Sequence, residues 1–204
     1  MGVATQGERR AETRERLLGA AADLFAARGI EASSVDAIAE RAERTSGAIY
    51  DHFGGKPGLL FALLEGWTDS AAAVIGAEVA TATTLEERLA AIWRNVATPP
   101  AGDHGRWIRL EHELWSYAAR DDAALEHLAR RYRAAWTAID RALAEWAEDE
   151  GGQPPPPTAG AAVIGVLLGL EMMRRIDPES IDTETAVAAL LGAVGAQQQE
   201  TSPR

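Results

Sequence analysis

The stretch AERTSGAIYDHFGGKPGLL, residues 42–60, gathers side chains that suit contact with a polyanion better than catalysis. Thr45 and Ser46 bring hydroxyls, and Gly47 and Ala48 bring almost no side chain. A backbone carrying such small residues can approach a base-pair edge closely. The two hydroxyls can reach bases or phosphates, with weaker base selection than Arg or Asn offers. Tyr50 and His52 fall outside the stripe of Ile49 and Phe53. Lys56 opens the next helix, where free N–H groups and a cation together suit a phosphate.

Helices must position these residues. In the first, Leu17, Ala21, Leu24 and Phe25 recur at helical spacing, and Gly29 ends it. Ser34 is a good N-cap for a second helix carrying Val35, Ile38, Ala39 and Ala42, and Asp36 suits its positive first turn. After a break at Glu43-Arg44-Thr45, a third helix is predicted over 46–53, stopped by Gly54-Gly55. Two short helices with a tight break between them give helix-turn-helix geometry, and the second would enter a major groove.

The charge is uneven. The chain has 204 residues and a formal net charge of −11. Residues 1–60 hold eight basic and nine acidic side chains, and the remainder twelve and twenty-two. The acidity therefore lies mainly beyond residue 60, and phosphates respond to the field within about 8–10 Å. There is no Cys, so disulfides and thiolate sites are excluded, and no metal-ligand spacing is present. The longest apolar run, residues 159–170, is shorter than the about 20 residues a membrane span needs. With no signal peptide in view, the expectation is a soluble cytoplasmic protein with no membrane partner.

Beyond Pro57 the reading is all-α, with no strand alternation. Leu60, Leu63, Leu64, Trp67, Ala71 and Val74 mark a long helix. Thr84-x-x-Glu87 is a capping box, and Pro99-Pro100 closes that helix. Helices are predicted over 105–119, from Asp121-Asp122 to about 149, over 158–176 and over about 183–197, with GGQPPPP as a linker. Helix 158–176 carries Ala161, Gly165 and Gly169 at spacing four, beside Leu168, and helix 183–197 offers Val187, Leu190, Leu191 and Val194. Together they could build a four-helix interface with a second copy, or an ordinary internal core. Trp93, Trp107, Trp115, Trp136, Met172 and Met173 suit either a bulky apolar ligand or core packing. Glu111 shares a helical face with Trp107, Leu114, Trp115 and Ala118, where a carboxylate must be paired, bonded or protonated.

SSVDAIAERAERTSGAIYDHFGGKPGLL resembles the DNA-binding domain of TetR-family transcriptional repressors, over about residues 11–64. The shared outline is T-R-x-x-L-L-x-A-A-x-x-L-F-x-x-x-G, S-V-x-x-I-A-x-x-A and S-G-x-I-Y-x-H-F-x-x-K-x-x-L. The resemblance implies a disordered arm over 1–9, a helix-turn-helix domain over 10–56, a helical ligand-binding and dimerisation domain over 57–198, and a disordered tail over 199–204. It implies contacts to operator DNA from Ser34, Arg44, Thr45, Ser46, Gly47, Ala48, Tyr50, His52 and Lys56. It further implies a homodimer on a palindromic operator, released by a small, largely apolar effector, with no cofactor. Glu43 and Arg44 depart from the family outline, which has Gly and Val there; Glu43 bears on the conformation of the turn, and Arg44 could add a phosphate contact. The alternatives are a dimerisation module that has lost DNA binding, and an all-α enzyme using His104, Glu111 and His112.

Overall fold

The computed structural model describes residues 5–97, 104–149, 151 and 153–195. The expected first residues of the arm, Pro99-Pro100 and the 199–204 tail lie outside them. The described residues form helices and no strand: α1 Gln6–Arg28, α2 Val35–Arg41, α3 Ser46–Phe53, α4 Lys56–Val79, α5 Leu85–Ala97, α6 His104–Ala118, α7 Asp122–Asp149, α8 Ala159–Ile176 and α9 Thr183–Val194. The chain divides into two compact units, one from Met1–Ser70 and Ala101–Leu128, the other from Ala71–Pro100 and Ala129–Arg204. The division differs from the expected boundary at residue 56. The start of α4 buries Leu59, Leu60, Leu63 and Leu64, and α6 buries Leu110 and Leu114, and both segments belong to the first unit.

In the first unit the expected apolar stripes meet. Leu17, Ala21 and Phe25 of α1, Ile38 and Ala39 of α2, and Ile49 of α3 are all buried. The start of α1 is a correction to the disordered arm. Thr5 Oγ1 accepts from the Glu8 N–H at 3.2 Å, and the Glu8 carboxylate accepts from the Thr5 N–H at 2.6 Å. This reciprocal cap satisfies two otherwise orphaned donors and makes residues 6–9 helical. Ser34 caps α2 by accepting from the Ala37 N–H at 3.1 Å. The left-handed Gly54, φ 72°, ends α3.

Gly58 fixes how α4 leaves α3. A Cβ on it would lie 1.9 Å from the Phe53 carbonyl oxygen, so the two helices meet where no side chain fits. By length and composition α4 could cross a bilayer, but its first half spends its leucines on the core of this unit.

The second unit packs Leu89 and Trp93 of α5, Leu143 of α7, Ala159, Val163 and Leu167 of α8, and Ala186, Leu190 and Val194 of α9 into one core. The capping box at α5 forms as expected, with Thr84 Oγ1 accepting from the Glu87 N–H at 3.2 Å. Asp140 of α7 accepts from the Gly160 N–H at 2.6 Å and so caps α8 from outside. Near the end of α8, Glu171 is 0 % exposed and accepts from Arg174 Nε at 2.9 Å and Arg175 Nε at 2.7 Å. A buried carboxylate needs such pairing. Gly195, φ 77°, ends α9 after Val194, short of the expected residue 197.

The α3–α4 joint makes a checkable statement. Gly→Ala inside an exposed helix ordinarily gains about 1 kcal/mol. Gly19 of α1 has nothing within 4 Å of its Cβ position, so Gly19→Ala should raise the thermal midpoint. Gly58→Ala should lower it, by about 1–3 kcal/mol of overpacking. Circular dichroism melts of the two variants decide; a midpoint for Gly58→Ala at or above the parent's would refute the close approach.

Candidate nucleic-acid interface

The start of α3 is open. Thr45 occupies the N-cap with extended backbone, φ −90° and ψ 153°, yet its side chain makes no capping bond. The Ala48 N–H donates to the Thr45 carbonyl at 3.0 Å, which leaves the Ser46 and Gly47 N–H groups and their partial positive charge for an incoming acceptor. Ser46 is not free in the same way, because its hydroxyl donates to Asp36 in the first turn of α2. Gly47 is exposed, Ala48 half-buried, and Ile49, 0 % exposed, anchors the helix from beneath. Tyr50 stands 58 % exposed, with its ring beside Gly55. Gly47, Tyr50, Asp51 and Gly54 share one outward face by helical spacing, and all four are exposed.

Asp51 went unremarked in the sequence. A carboxylate on this face repels phosphates but can accept from a cytosine amino group. His52 is half-buried, its ring 5.9 Å from that of Phe53. Its pKa is held below the ordinary histidine value, first by desolvation and then by the charges of Arg10 and Arg14, with Asp51 opposing. Arg14 also lies over the Phe53 ring, 4.8 Å from its centre.

Two expected phosphate contacts are used elsewhere. Lys56 Nζ donates to the carbonyls of Ile30 at 2.8 Å, Ser33 at 3.2 Å and Glu31 at 3.4 Å. An ammonium has three donors, so all of them serve the loop between α1 and α2. Glu113 of α6 holds the same loop through the Ile30 N–H at 3.3 Å, and Arg120 pairs with Glu31. Arg44 folds back onto α1 instead of facing outward. It donates to Thr13 Oγ1 at 3.3 Å and to the Glu43 carbonyl at 2.9 Å, and lies 3.6 Å from Glu12. Glu43 is the one non-glycine with positive φ among the described residues, at 54°. Its left-handed backbone costs roughly 1–2 kcal/mol. Its exposed side chain pairs with Arg16 at 3.3 Å, which returns little. Ser34 Oγ accepts from the Ala37 N–H in capping α2, which leaves its O–H to donate.

The expected effector residues divide between the units. Glu111, 2 % exposed, and the half-buried Trp115, its ring 5.6 Å from that of His112, belong to the first. Trp107 and His104 lie on α6, but their side chains are outside the described residues. Trp93, Trp136 and Met172 belong to the second unit. Trp93 is a correction: at 1 % exposed it is core, wedged among α5, α7, α8 and α9. Trp136 is half-buried beside Tyr132, with ring centres 6.2 Å apart, and Met172 lies at the surface.

Three of the expected dimer contacts are corrected in the same way. Val187, Leu190 and Val194 are 5 %, 0 % and 6 % exposed, because that face of α9 packs into its own unit. Ala161, Gly165, Leu168, Gly169 and Leu191 remain exposed or half-exposed. On α8 they continue at steps of three and four into Met172 and Ile176, the latter 75 % exposed.

Residues 17–63 match the family model described as "Bacterial regulatory proteins, tetR family". These residues are a TetR-type helix-turn-helix module. It is 45 % identical over 53 residues to the HTH-type transcriptional regulator SrpR of Pseudomonas putida, covering 26 % of this chain and 25 % of that protein. The chain thus aligns with about a quarter of that relative's length. A Rhodococcus sp. structure assigned to the TetR-family transcriptional regulators is 27 % identical, with a TM-score of 0.70 over 91 % of this chain and 98 % of that one. The SmeT–triclosan complex shares the fold at 22 % identity, with a TM-score of 0.68 over 94 % and 95 % of the two chains.

Two variants test the geometry around this TetR-type module. Lys56→Met keeps the stem and strands the carbonyls of a partly buried loop, so the module should lose about 1–3 kcal/mol by chemical denaturation. An unchanged midpoint would free Lys56 from the loop. Glu43→Gly should gain about 1 kcal/mol, the left-handed strain less a weak ion pair. A loss instead would show that the Arg16 contact outweighs the backbone.

Proposed function

We propose that this chain is a homodimeric, sequence-specific DNA-binding transcriptional regulator, a repressor released from a palindromic operator by a small, largely apolar effector. The observation that carries the reading is the uncapped start of α3 together with the exposed Gly47 and Tyr50, on a frame whose residues 17–63 match the TetR model. Thr45, Gly47 and Tyr50 supply close approach and hydroxyl contacts, Asp51 a means of reading cytosine, and Ser34, Ser46, Ala48 and His52 border them. In a dimer, two such helices would occupy successive major grooves about 34–36 Å apart.

Support for self-association comes from the apolar face of α8 through Gly165, Gly169, Met172 and Ile176, which its own unit leaves open. Support for an effector comes from the fold shared with SmeT, a protein seen in complex with triclosan. Within the first unit, the half-buried Trp115 and the buried Glu111 are the candidate contacts. Release requires that the effector bind the DNA-incompetent arrangement better, by about 1–3 kcal/mol.

The withdrawal of Arg44 and Lys56 favours a second reading, a dimerisation protein with impaired DNA binding. Selection of bound duplexes from random DNA by the purified protein separates the two. Recovery of a palindromic sequence is expected, and Tyr50→Ala should bind it roughly three- to tenfold more weakly, the worth of one hydrogen bond. No enrichment at low salt would establish the second reading. Sedimentation should give a dimer for the parent and a monomer for Gly169→Glu; a Gly169→Glu protein that stays dimeric would move the interface away from α8.

A further inference from the structure

We infer that Arg10 and Arg14, on the amino-terminal turns of α1, form a phosphate clamp that grips the DNA backbone beside the carboxyl end of α3. This inference rests on the DNA-binding reading and names the part of the surface that supplies its positive charge.

The module has few cations free for a polyanion. Arg16 pairs with Glu12 at 3.1 Å and with Glu43, and Arg41 with Asp23 at 2.5 Å. Arg44 and Lys56 are tied to α1 and to backbone carbonyls, and Arg120 to Glu31. Arg10, Arg14 and Arg28 hold no ion pair among the described residues and all are exposed, but Arg28 lies at the opposite end of α1.

Their place on α1 explains where they point. Arg10, Arg14, Leu17, Ala21 and Phe25 follow one another at steps of three and four, so they share one face of the helix. From Leu17 onward that face is core. Before Leu17 it runs past the end of α3 and becomes basic. Arg14 lies over the Phe53 ring, and both arginines act on His52. The capping box at Thr5 and Glu8 keeps this part of α1 helical, so the two charges are presented from a rigid element.

The dimensions agree with a backbone contact. Eight helical residues span about 12 Å, and the major groove is about 12 Å wide. With the start of α3 at base edges, its far end reaches the groove rim, where a phosphate strand runs. Arg10 and Arg14 overhang that end. A guanidinium makes bidentate contacts to phosphate and carries no sequence information there. The clamp therefore adds affinity and salt dependence without adding selectivity.

The test uses the full chain and a labelled duplex recovered by selection with the parent protein, titrated by fluorescence anisotropy over a range of salt. Each phosphate contact contributes about 0.9 to the slope of log K against log salt. Arg10→Ala should lower the slope by about one per protomer and weaken binding roughly tenfold at low salt. Arg10→Gln/Arg14→Leu should lower it by about two, keeping a stem over Phe53, with the order of preferred sequences unchanged. Arg10→Lys/Arg14→Lys should restore most of the slope. Slopes equal to the parent's in Arg10→Ala, whose ring-free position should leave the melting midpoint unchanged, would overturn the clamp while the DNA-binding reading stands. A parent protein that recovers no duplex would overturn both.

Discussion

The ammonium of Lys56 sits on three carbonyls of the α1–α2 loop, and the architecture around the candidate interface depends on that contact. A chain turning between two packed helices leaves carbonyls without helical partners, and partial burial makes them costly to leave unpaired. The only lysine of the sequence meets that need from the first residue of α4. Gly58, two residues on, lets α4 close onto the Phe53 carbonyl. Glu113 and Arg120 of α6 hold the same loop from another side. The orientation of α3 is thereby tied, within one unit, to the start of α4 and to α6. A movement of either helix must break these contacts or carry the helix-turn-helix with it.

The same economy of charge organises the candidate interface. Arg16, Arg41 and Arg44 are spent on holding helices together, and a backbone strain at Glu43 is tolerated in the turn. What remains outward is small, hydroxylic and aromatic on α3, with a basic continuation on α1. An acidic protein can then present a local surface compatible with phosphates, since screening confines the opposing charge of distant residues. Asp51, exposed on that surface, carries a charge that repels phosphates and an acceptor that suits a cytosine amino group.

Much of the fold was legible from the order of residues. The stripe of α1, the Ser34 cap, the span of α3 and the Thr84 capping box all appear as read, because each depends on neighbours within one or two helical turns. The capping box at Thr5 and Glu8 is equally local, a Thr and a Glu three residues apart, and is legible in the same way. The outward face of α3 was legible for the same reason, with Asp51 the omission. Side chains that reach across the chain were not legible. Lys56 and Arg44 look like phosphate ligands from their motif positions, and only the proximity of residues many positions earlier turns them inward. Val187, Leu190 and Val194 look like an interface, because an apolar stripe does not say which partner covers it.

The sequence by itself determined helix order, caps and the groups offered by α3, since these follow from periodicity and from hydrogen bonds between near neighbours. It also placed the surplus acid beyond residue 60. Tertiary structure decided which charges are free. A cation binds whatever acceptor lies within reach, and reach depends on distances between residues far apart in the chain. Packing alone assigned Trp93 to the core, Lys56 to the loop, and Arg14 to the Phe53 ring at the end of α3.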